Sequence, residues 1–186
     1  MKKLLLLAVE KVDDDKYYLY VMEMVYQKIF RVFKSDSPDK LSDNWRVGYI
    51  TEVEKITKWS IDEESFITSK DTLKGCCDEF HRILFDKASC SERILSLLSG
   101  KTYGVIGLKQ LEIDYEEQKI EFEVWGTKYK RSAKICDPYW LRFWKSSKTL
   151  DVKLRWERKL SSSKTKLFGV VENYNSNITI KKLFVV

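Results

Sequence analysis

The chain has 186 residues, which is enough for one large domain or two small ones. Hydrophobic residues make up 44% and supply a core, while two prolines and seven glycines are too few for a disordered or linker-rich chain. The net charge of +6 comes from 34 basic and 28 acidic residues, so both signs are abundant. No apolar run reaches the roughly 20 residues that a transmembrane helix needs, and we expect no membrane association.

The first residues imitate the start of a signal peptide. Met1-Lys2-Lys3 precedes an apolar stretch that ends at Val9, before the charged Glu10. This stretch is shorter than the roughly 7–15 residues of a secretory core, and no small-residue cleavage site follows it. We therefore predict a buried first strand over residues 3–9 and a cytoplasmic protein.

Apolar and polar residues alternate along most of the chain, which predicts half-buried β-strands. The clearest cases are Ile120, Phe122 and Val124 in one run, and Leu154 and Trp156 in another. In chain order, the predicted strands cover residues 3–9, 17–26, 28–33, 47–57, 103–115, 119–124, 127–135, 151–157, 166–174 and 177–185.

Three short helices are predicted between the strands, over residues 78–87, 91–98 and 137–144. The second ends before Gly100, a common C-terminal signal. The third begins with Asp137 as N-cap and Pro138 in the first turn.

This arrangement predicts a mainly β protein with a few short helices, built from two tandem OB-like small β-barrels. Closing a sheet into a five-stranded Greek-key barrel removes its unpaired edges and tolerates a helix between strands. We expect the first barrel in residues 1–100, with two short helices at its C-terminal end. The second is expected in residues 101–186, with an inserted helix near residues 137–145.

Several segments resemble the dual OB-containing domain family of bacterial and phage conflict systems. These segments are residues 3–8, 16–18, 29–32, 47–61, 120–138 and 150–154. The resemblance implies a paired-barrel fold and a nucleic-acid role in conflict or repair systems. It implies no catalytic residues.

Positive charge is concentrated in the C-terminal half. Residues 126–168 hold 13 basic and three acidic residues, a net charge of +10, whereas the rest of the chain carries −4. Basic grooves interleaved with aromatic rings bind single strands by phosphate contacts and base stacking. The sequence therefore predicts a non-enzymatic protein that binds single-stranded or structured nucleic acid. The predicted binding residues are Lys128, Lys130, Arg131, Lys134, Arg142, Lys153, Arg155, Arg158 and Trp144.

Other interpretations of the same residues stay open. A lysine-rich strand face is commonly just solvated, and Trp140 and Trp144, four residues apart, are also typical of a helix that plugs a barrel end. Trp156 fits the apolar core better than a stacking platform. The alternative function is a protein-interaction module, or an inhibitor acting on a phage or bacterial defence complex.

Catalytic and metal-binding patterns are weak, and we predict no enzyme activity, no cofactor and no metal. Cys77 and the single His81 lack the ligand spacing of a zinc site and the third group of a nucleophile pair. Glu112 and Asp114 share a strand face but have no third partner. Gly104 and Gly107 lack the residues of a phosphate loop and predict a bulge or bend. The remaining cysteines, Cys76, Cys90 and Cys136, are expected as reduced thiols.

Overall fold

The computed structural model describes residues 1–14, 16–35, 41–58, 65–67, 70–89, 91–96, 100–146, 150–160, 162 and 164–186. Within this part, the chain forms twelve strands and four short helices, which confirms the predicted mainly β class. The chain divides into two compact units, residues 1–80 and 81–186. None of the described helices is both long and apolar enough to span a membrane.

The first unit is a seven-stranded sheet. Its strands are β1 (Lys2–Asp13), β2 (Lys16–Glu23), β3 (Ile29–Ser35), β4 (Tyr49–Val53), β5 (Ile56–Lys58), β6 (Ser65–Ile67) and β7 (Asp71–Cys76). Their order across the sheet is β5-β6-β3-β2-β1-β4-β7. All pairs are antiparallel except β3 and β6, which run parallel.

This sheet is strongly curved, because β4 and β5 lie far apart in its order although only two residues separate them in the chain. Five strand spacings would place them about 24 Å apart in a flat sheet. The three Cα steps from Val53 to Ile56 reach at most about 11 Å. The sheet therefore bends back on itself. A second closed barrel in this unit stays a prediction.

The core of the first unit lies on the inner face of β1 to β3, where Leu4, Leu6, Leu19, Val21 and Val32 pack together. The neighbouring Leu5, Leu7 and Ala8 are also fully buried. Strand β1 is thus buried on both faces, which explains why it is continuously apolar rather than alternating.

A buried carboxylate ties the loop before β4 to the sheet. Asp71 accepts hydrogen bonds from Asn44 Nδ2 and Trp45 Nε1, both at 2.7 Å, and its Oδ2 lies 3.0 Å from Lys34 Nζ. Burial would raise the pKa of Asp71, but these three donors together hold it below the ordinary value. The Asp71 side chain is only 8% exposed, so its charge depends on these partners.

The second unit begins within α1 (Phe80–Ala88) and contains a closed five-stranded barrel. Its other helices are α2 (Ser91–Leu95), α3 (Pro138–Ser146) and α4 (Leu150–Leu160). Its strands are β8 (Lys101–Asp114), β9 (Lys119–Val124), β10 (Lys130–Ile135), β11 (Leu167–Tyr174) and β12 (Asn177–Val185).

Around the barrel the strands follow the order β10-β12-β11-β8-β9. The first three strands of the unit are therefore neighbours, and the fifth lies between the third and the fourth. This is the Greek-key connectivity of an OB-like barrel. Two helices follow the third strand of the unit, where the sequence predicted one helix and then a strand. The predicted strands over residues 119–124 and 177–185 match β9 and β12.

Helices α1 and α2, which the sequence places at the end of the first barrel, group mainly with the second unit. The reason is packing against the second barrel. Leu95 belongs to the barrel core, and the Ile94 side chain lies against Gly104 of β8.

The predicted strand over residues 151–157 is wrong, because these residues lie in α4. The short run also fits a helical period, since Val152, Trp156 and Leu160 are four residues apart. Leu154, which a strand would bury with Trp156, is 39% exposed. Two short strands, β6 and β7, were not predicted, because they are brief or rich in weak β-formers.

The predicted bulge at Gly104 and Gly107 is also wrong. β8 pairs with β11 in unbroken register here, and the irregularity with β9 lies between Lys109 and Glu112. Both glycines instead allow close approach: a Cβ on Gly107 would lie 2.4 Å from the Trp125 ring, and one on Gly104 would lie 2.2 Å from Ile94.

We predict that Asp71→Asn lowers the free energy of unfolding of the first unit by about 3 kcal/mol at pH 7, because Lys34 loses its buried partner. The lowered pKa of Asp71 means that its stabilisation is complete above the ordinary carboxyl pKa and is lost as the pH falls toward the lowered value. Urea unfolding should therefore show a smaller difference in the free energy of unfolding between wild type and variant at pH 3 than at pH 7. The exposed Asp14→Asn is the control, and an equal gap at both pH values would contradict the assignment.

Candidate nucleic-acid interface

One end of the barrel is closed by α3. Trp140 and Trp144 are buried in the barrel core, and Trp140 Nε1 donates to the Leu183 carbonyl at 3.2 Å. Asp137 caps the helix by accepting from Tyr139 N at 3.0 Å and also accepts from Leu183 N at 2.9 Å. The predicted N-cap is confirmed, and it anchors the helix to β12.

Trp144 is therefore not available for base stacking, which corrects its prediction as a binding residue. Its side chain is 5% exposed and contacts the Tyr115 ring edge-on, with ring centroids 5.5 Å apart. The spacing of Trp140 and Trp144 reflects the plugging of the barrel end. Trp156 also packs against this core, as predicted from its apolar position.

Helix α2 lies at the other end of the barrel. The Gly107 N–H donates to Ser91 Oγ at 3.0 Å, and Asn173 Nδ2 donates to the Ile94 carbonyl at 3.0 Å. Ser91 Oγ in turn donates to the Ala88 carbonyl. These contacts hold α2 against β8 and β11 and leave the side toward β10 open.

Two adjoining cavities of about 480 and 430 Å³ occupy this open side, which we call the α2 groove. Both are lined by Leu95, Ser96 and Arg131. The remaining lining residues are Arg93, Val124, Thr127, Tyr129, Lys130, Ser132, Ser176 and Ile178. Three of the described lining residues are cationic and none carries a carboxylate.

The groove exists because β10 and β12 pair only briefly. They run parallel and pair at Lys134 with Thr179 and at Ile135 with Ile180. Before these residues β10 is paired with β9, whereas the start of β12 is separated from it by the second cavity. The divergence of two barrel strands thus opens space at the barrel mouth.

Arg131 and Tyr129 are presented at this mouth by their positions in the chain. Arg131 belongs to the same alternating row as the buried Ala133 and Ile135, but it lies near the strand's beginning and is exposed. Tyr129 is 71% exposed, and its backbone N–H donates to Thr127 Oγ1 at 3.2 Å. A cation and an open ring face therefore lie side by side.

The outer face of β9 and β10 is not the continuous basic surface that the sequence suggested. Glu123 pairs opposite Lys130, and Glu121 opposite Ser132. Lys130 Nζ lies 2.9 Å from Glu112 Oε1, and this hydrogen bond raises the pKa of Lys130. Lys134 faces Lys119, while Lys128 is exposed in the loop before β10. Carboxylates thus offset much of the positive charge on this face.

Lys153 and Arg155 do not extend that face, since they lie on α4 and not on a strand. Lys153 Nζ lies 4.5 Å from the centroid of the Tyr115 ring. Arg155 and Arg158 are exposed on α4, and Arg142 is exposed on α3. The structure therefore brings Lys130 and Arg131 into the groove and leaves these helix residues elsewhere.

Sequence analysis missed Arg93 as a site residue. It lies on α2, more than 30 residues before the basic segment, and no local pattern links it to β10. Tyr129 stood out only as one of several aromatic residues in that segment. Its exposure at the groove distinguishes it from the buried rings.

Two of the residues considered for catalysis, Cys77 and Asp114, have ordinary surroundings. Cys77 is buried, and burial raises the pKa of its thiol, which favours the unreactive protonated form. Asp114 Oδ1 accepts from Glu116 N and Glu117 N at 3.0 Å, as in an ordinary turn. The described part of the chain contains no group of three possible metal ligands, and Cys90 lies outside it.

Comparison with known proteins finds no matching family model and no matching curated protein. Solved structures do match over nearly the whole chain. The Ifi202 HINa domain in complex with 20-bp dsDNA is 10% identical, with a TM-score of 0.42, and covers 99% of this chain and 93% of its own. A murine DNA-binding protein bound to double-stranded DNA has the same identity and score, covering 99% and 96%. The p204 HINb domain is 10% identical, with a TM-score of 0.43, covering 98% and 94%.

The two adjacent cysteines should differ in their rates of alkylation. We predict that iodoacetamide modifies Cys77 at least about tenfold more slowly than the exposed Cys76 at neutral pH, because Cys77 is buried and its pKa is raised. Tandem mass spectrometry of the labelled peptide measures both rates, and labelling in urea provides the equal-exposure control. Rapid labelling of Cys77 in the folded protein would instead indicate an activated thiolate.

Proposed function

We propose that the protein is a non-enzymatic nucleic-acid-binding protein and that the α2 groove holds the ligand. The observation that carries this proposal is the composition of the groove. Arg93 and Arg131 line it together with the exposed Tyr129, Lys130 lies at its edge with Nζ paired to Glu112, and no described lining residue is acidic. A cationic groove with an open ring face is the chemistry that binds phosphates and bases.

Each group has a defined part in this proposal. Arg131 lines both cavities, so its guanidinium is placed to bind a phosphate at the middle of the groove by paired hydrogen bonds. Arg93 supplies a second phosphate contact from α2. Tyr129 stacks on a base, and Ser96 and Ser132 offer hydroxyl groups to sugars or base edges.

The ligand we propose is single-stranded or structured nucleic acid. A base must be unpaired or splayed out to offer its face to Tyr129, which duplex stacking prevents. Lys128, exposed in the loop before β10, is next to Tyr129 in the chain and adds attraction for the backbone, whereas Lys134 lies at the other end of β10, beside Ile135. The resemblance to the dual OB-containing family supports a role for this activity in bacterial or phage conflict systems, and we propose that it takes place in the cytoplasm.

A second candidate function is protein interaction, for example as an inhibitor of a defence complex. It is favoured by the turn between β2 and β3, where Val25 and Tyr26 are 76% and 78% exposed. Neighbouring apolar side chains of this exposure are commoner in protein contacts than on an inert surface. Nucleic-acid binding is preferred because the groove combines charge with a ring, whereas this turn shows only exposure.

Binding is expected to depend steeply on salt. Fluorescence anisotropy of labelled single-stranded DNA and RNA, and of duplex DNA, should show affinity that falls as salt rises. Arg131→Ala should weaken binding to all sequences and lower the slope of log K against log salt by about one, as expected for a single phosphate contact. The exposed Lys11→Ala is the matched control. Absence of binding at low salt would remove nucleic acid as the ligand and favour a protein partner.

Stacking by Tyr129 can be tested separately from charge. Tyr129→Leu should weaken binding of a short single strand by about 1–3 kcal/mol, or about 5- to 150-fold, because the ring face is lost while the apolar bulk remains. An abasic strand of equal length carries the same phosphates, so its affinity should be unchanged by the substitution. Tyr26→Leu, an equally exposed tyrosine in the first unit, is the control. Equal losses for both strands would show that Tyr129 does not stack.

A further inference from the structure

A second cationic surface covers the two helices inserted after β10. Its exposed members are Arg142 and Lys145 on α3, and Arg155, Arg158 and Lys159 on α4. We call it the α3–α4 basic surface. Arg142 and Lys145 are three residues apart on α3, and on α4 Arg155 is three residues from Arg158 and four from Lys159, spacings at which helical side chains are neighbours. Like charges at this spacing repel, so the arrangement costs stability unless an anionic partner offsets it.

Two carboxylates near this surface, among those whose side chains the structure describes, are turned inward and already paired. Glu157 Oε1 accepts from the Tyr115 hydroxyl at 2.9 Å, and this carboxylate is half-buried. Asp137 is fully buried and holds the Leu183 N–H, with Lys182 Nζ at 3.4 Å. Among the side chains that the structure describes on α3 and α4, no exposed one is acidic.

The α2 groove and the α3–α4 basic surface lie at opposite ends of the barrel. Lys130 lines the groove, while Ile135, five residues along β10, is followed by Asp137 and α3. These five residues span about 17 Å of strand. The two ends of β8 also lie at opposite ends of the barrel. Gly104, near the start of β8, contacts Ile94 of α2. Tyr115, just beyond its end, contacts Trp144 of α3.

The outer face of β9 and β10 separates the two surfaces along the barrel. Glu112, Glu121 and Glu123 project among its lysines, and two of these carboxylates lie 2.9 Å from Lys130 and 3.2 Å from Lys109. A strand of nucleic acid running over this face would meet negative charge midway. The positive charge therefore forms two separate surfaces rather than one continuous track.

We propose that the α3–α4 basic surface is a second phosphate-binding surface and that one molecule of the protein bridges two segments of nucleic acid. This inference rests on the proposed function, because it takes the α2 groove as the first binding surface. The helix cations contact backbone phosphates without reading bases, whereas the groove takes an unpaired base on Tyr129. Two surfaces on opposite ends of one barrel bring two segments together without dimerisation of the protein.

Bridging is measured by capture. One DNA segment is fixed to beads, and a second, fluorescent segment is retained only if the full chain binds both. We expect the wild-type chain to retain the second segment on the beads. Light scattering should show that the protein is a monomer under the same conditions. Arg155→Glu/Arg158→Glu should reduce capture about tenfold or more, because it reverses two phosphate contacts. The same variant should bind an eight-nucleotide strand within about twofold of wild type at 0.15 M salt, since the roughly 17 Å of β10 between the groove and α3 exceeds the screening length at this salt.

Matched variants separate the possible outcomes. Arg155→Gln/Arg158→Gln removes the two charges without reversing them, so the loss of capture should be intermediate. Lys11→Glu/Lys16→Glu reverses two charges in the first unit and should capture as wild type does. Full capture by the Arg155/Arg158 variants, or wild-type protein that binds one segment but never captures a second, would overturn the bridging proposal alone. Wild-type protein that binds no nucleic acid at low salt would instead overturn the proposed function.

Discussion

The short parallel contact between β10 and β12 is the constraint on which the rest of the second unit depends. Two residue pairs close the barrel. Toward the start of both strands, before these pairs, β10 and β12 diverge and open the barrel mouth. A barrel with an open end exposes its core, so each end needs a cover. Helix α3 fills one end with Trp140 and Trp144, and α2 covers part of the other end, which leaves the groove beside it.

Leu95 is the α2 residue that enters this core, while the adjacent Ser96 and Arg93 line the groove. One short helix therefore both seals the barrel and supplies part of the proposed binding surface.

The placement of carboxylates, more than the number of lysines and arginines, decides where the surface is positive. Residues 126–168 carry a net charge of +10, yet the outer face of β10 is largely offset by Glu121 and Glu123 of β9. On α4 the reverse holds, because Glu157 is turned toward Tyr115 and leaves Arg155 and Arg158 facing solvent. Ion pairs between exposed groups contribute little to stability, but they remove local attraction for phosphates. The same sequence charge thus yields two positive surfaces with a mixed face between them.

In the first unit, a buried carboxylate fixes the position of a loop. Asp71 joins Asn44, Trp45 and Lys34, so that the loop before β4 is held over the core. Its partners satisfy the carboxylate, which makes the group structural rather than reactive. Cys77 is likewise buried, and its raised pKa disfavours the thiolate.

The sequence by itself determined the mainly β class, the strands at residues 119–124 and 177–185, and the capped start of α3, because each depends on local periodicity or on a single turn. It did not determine α4, since a run of seven residues fits periods of 2 and 3.6 almost equally well. Only the tertiary structure decided that Trp144 is buried, that Arg93 lines the same cavity as Arg131, and that Lys130 contacts Glu112. These contacts join residues far apart in the chain, and strand pairing, rather than any local pattern, sets which of them become neighbours.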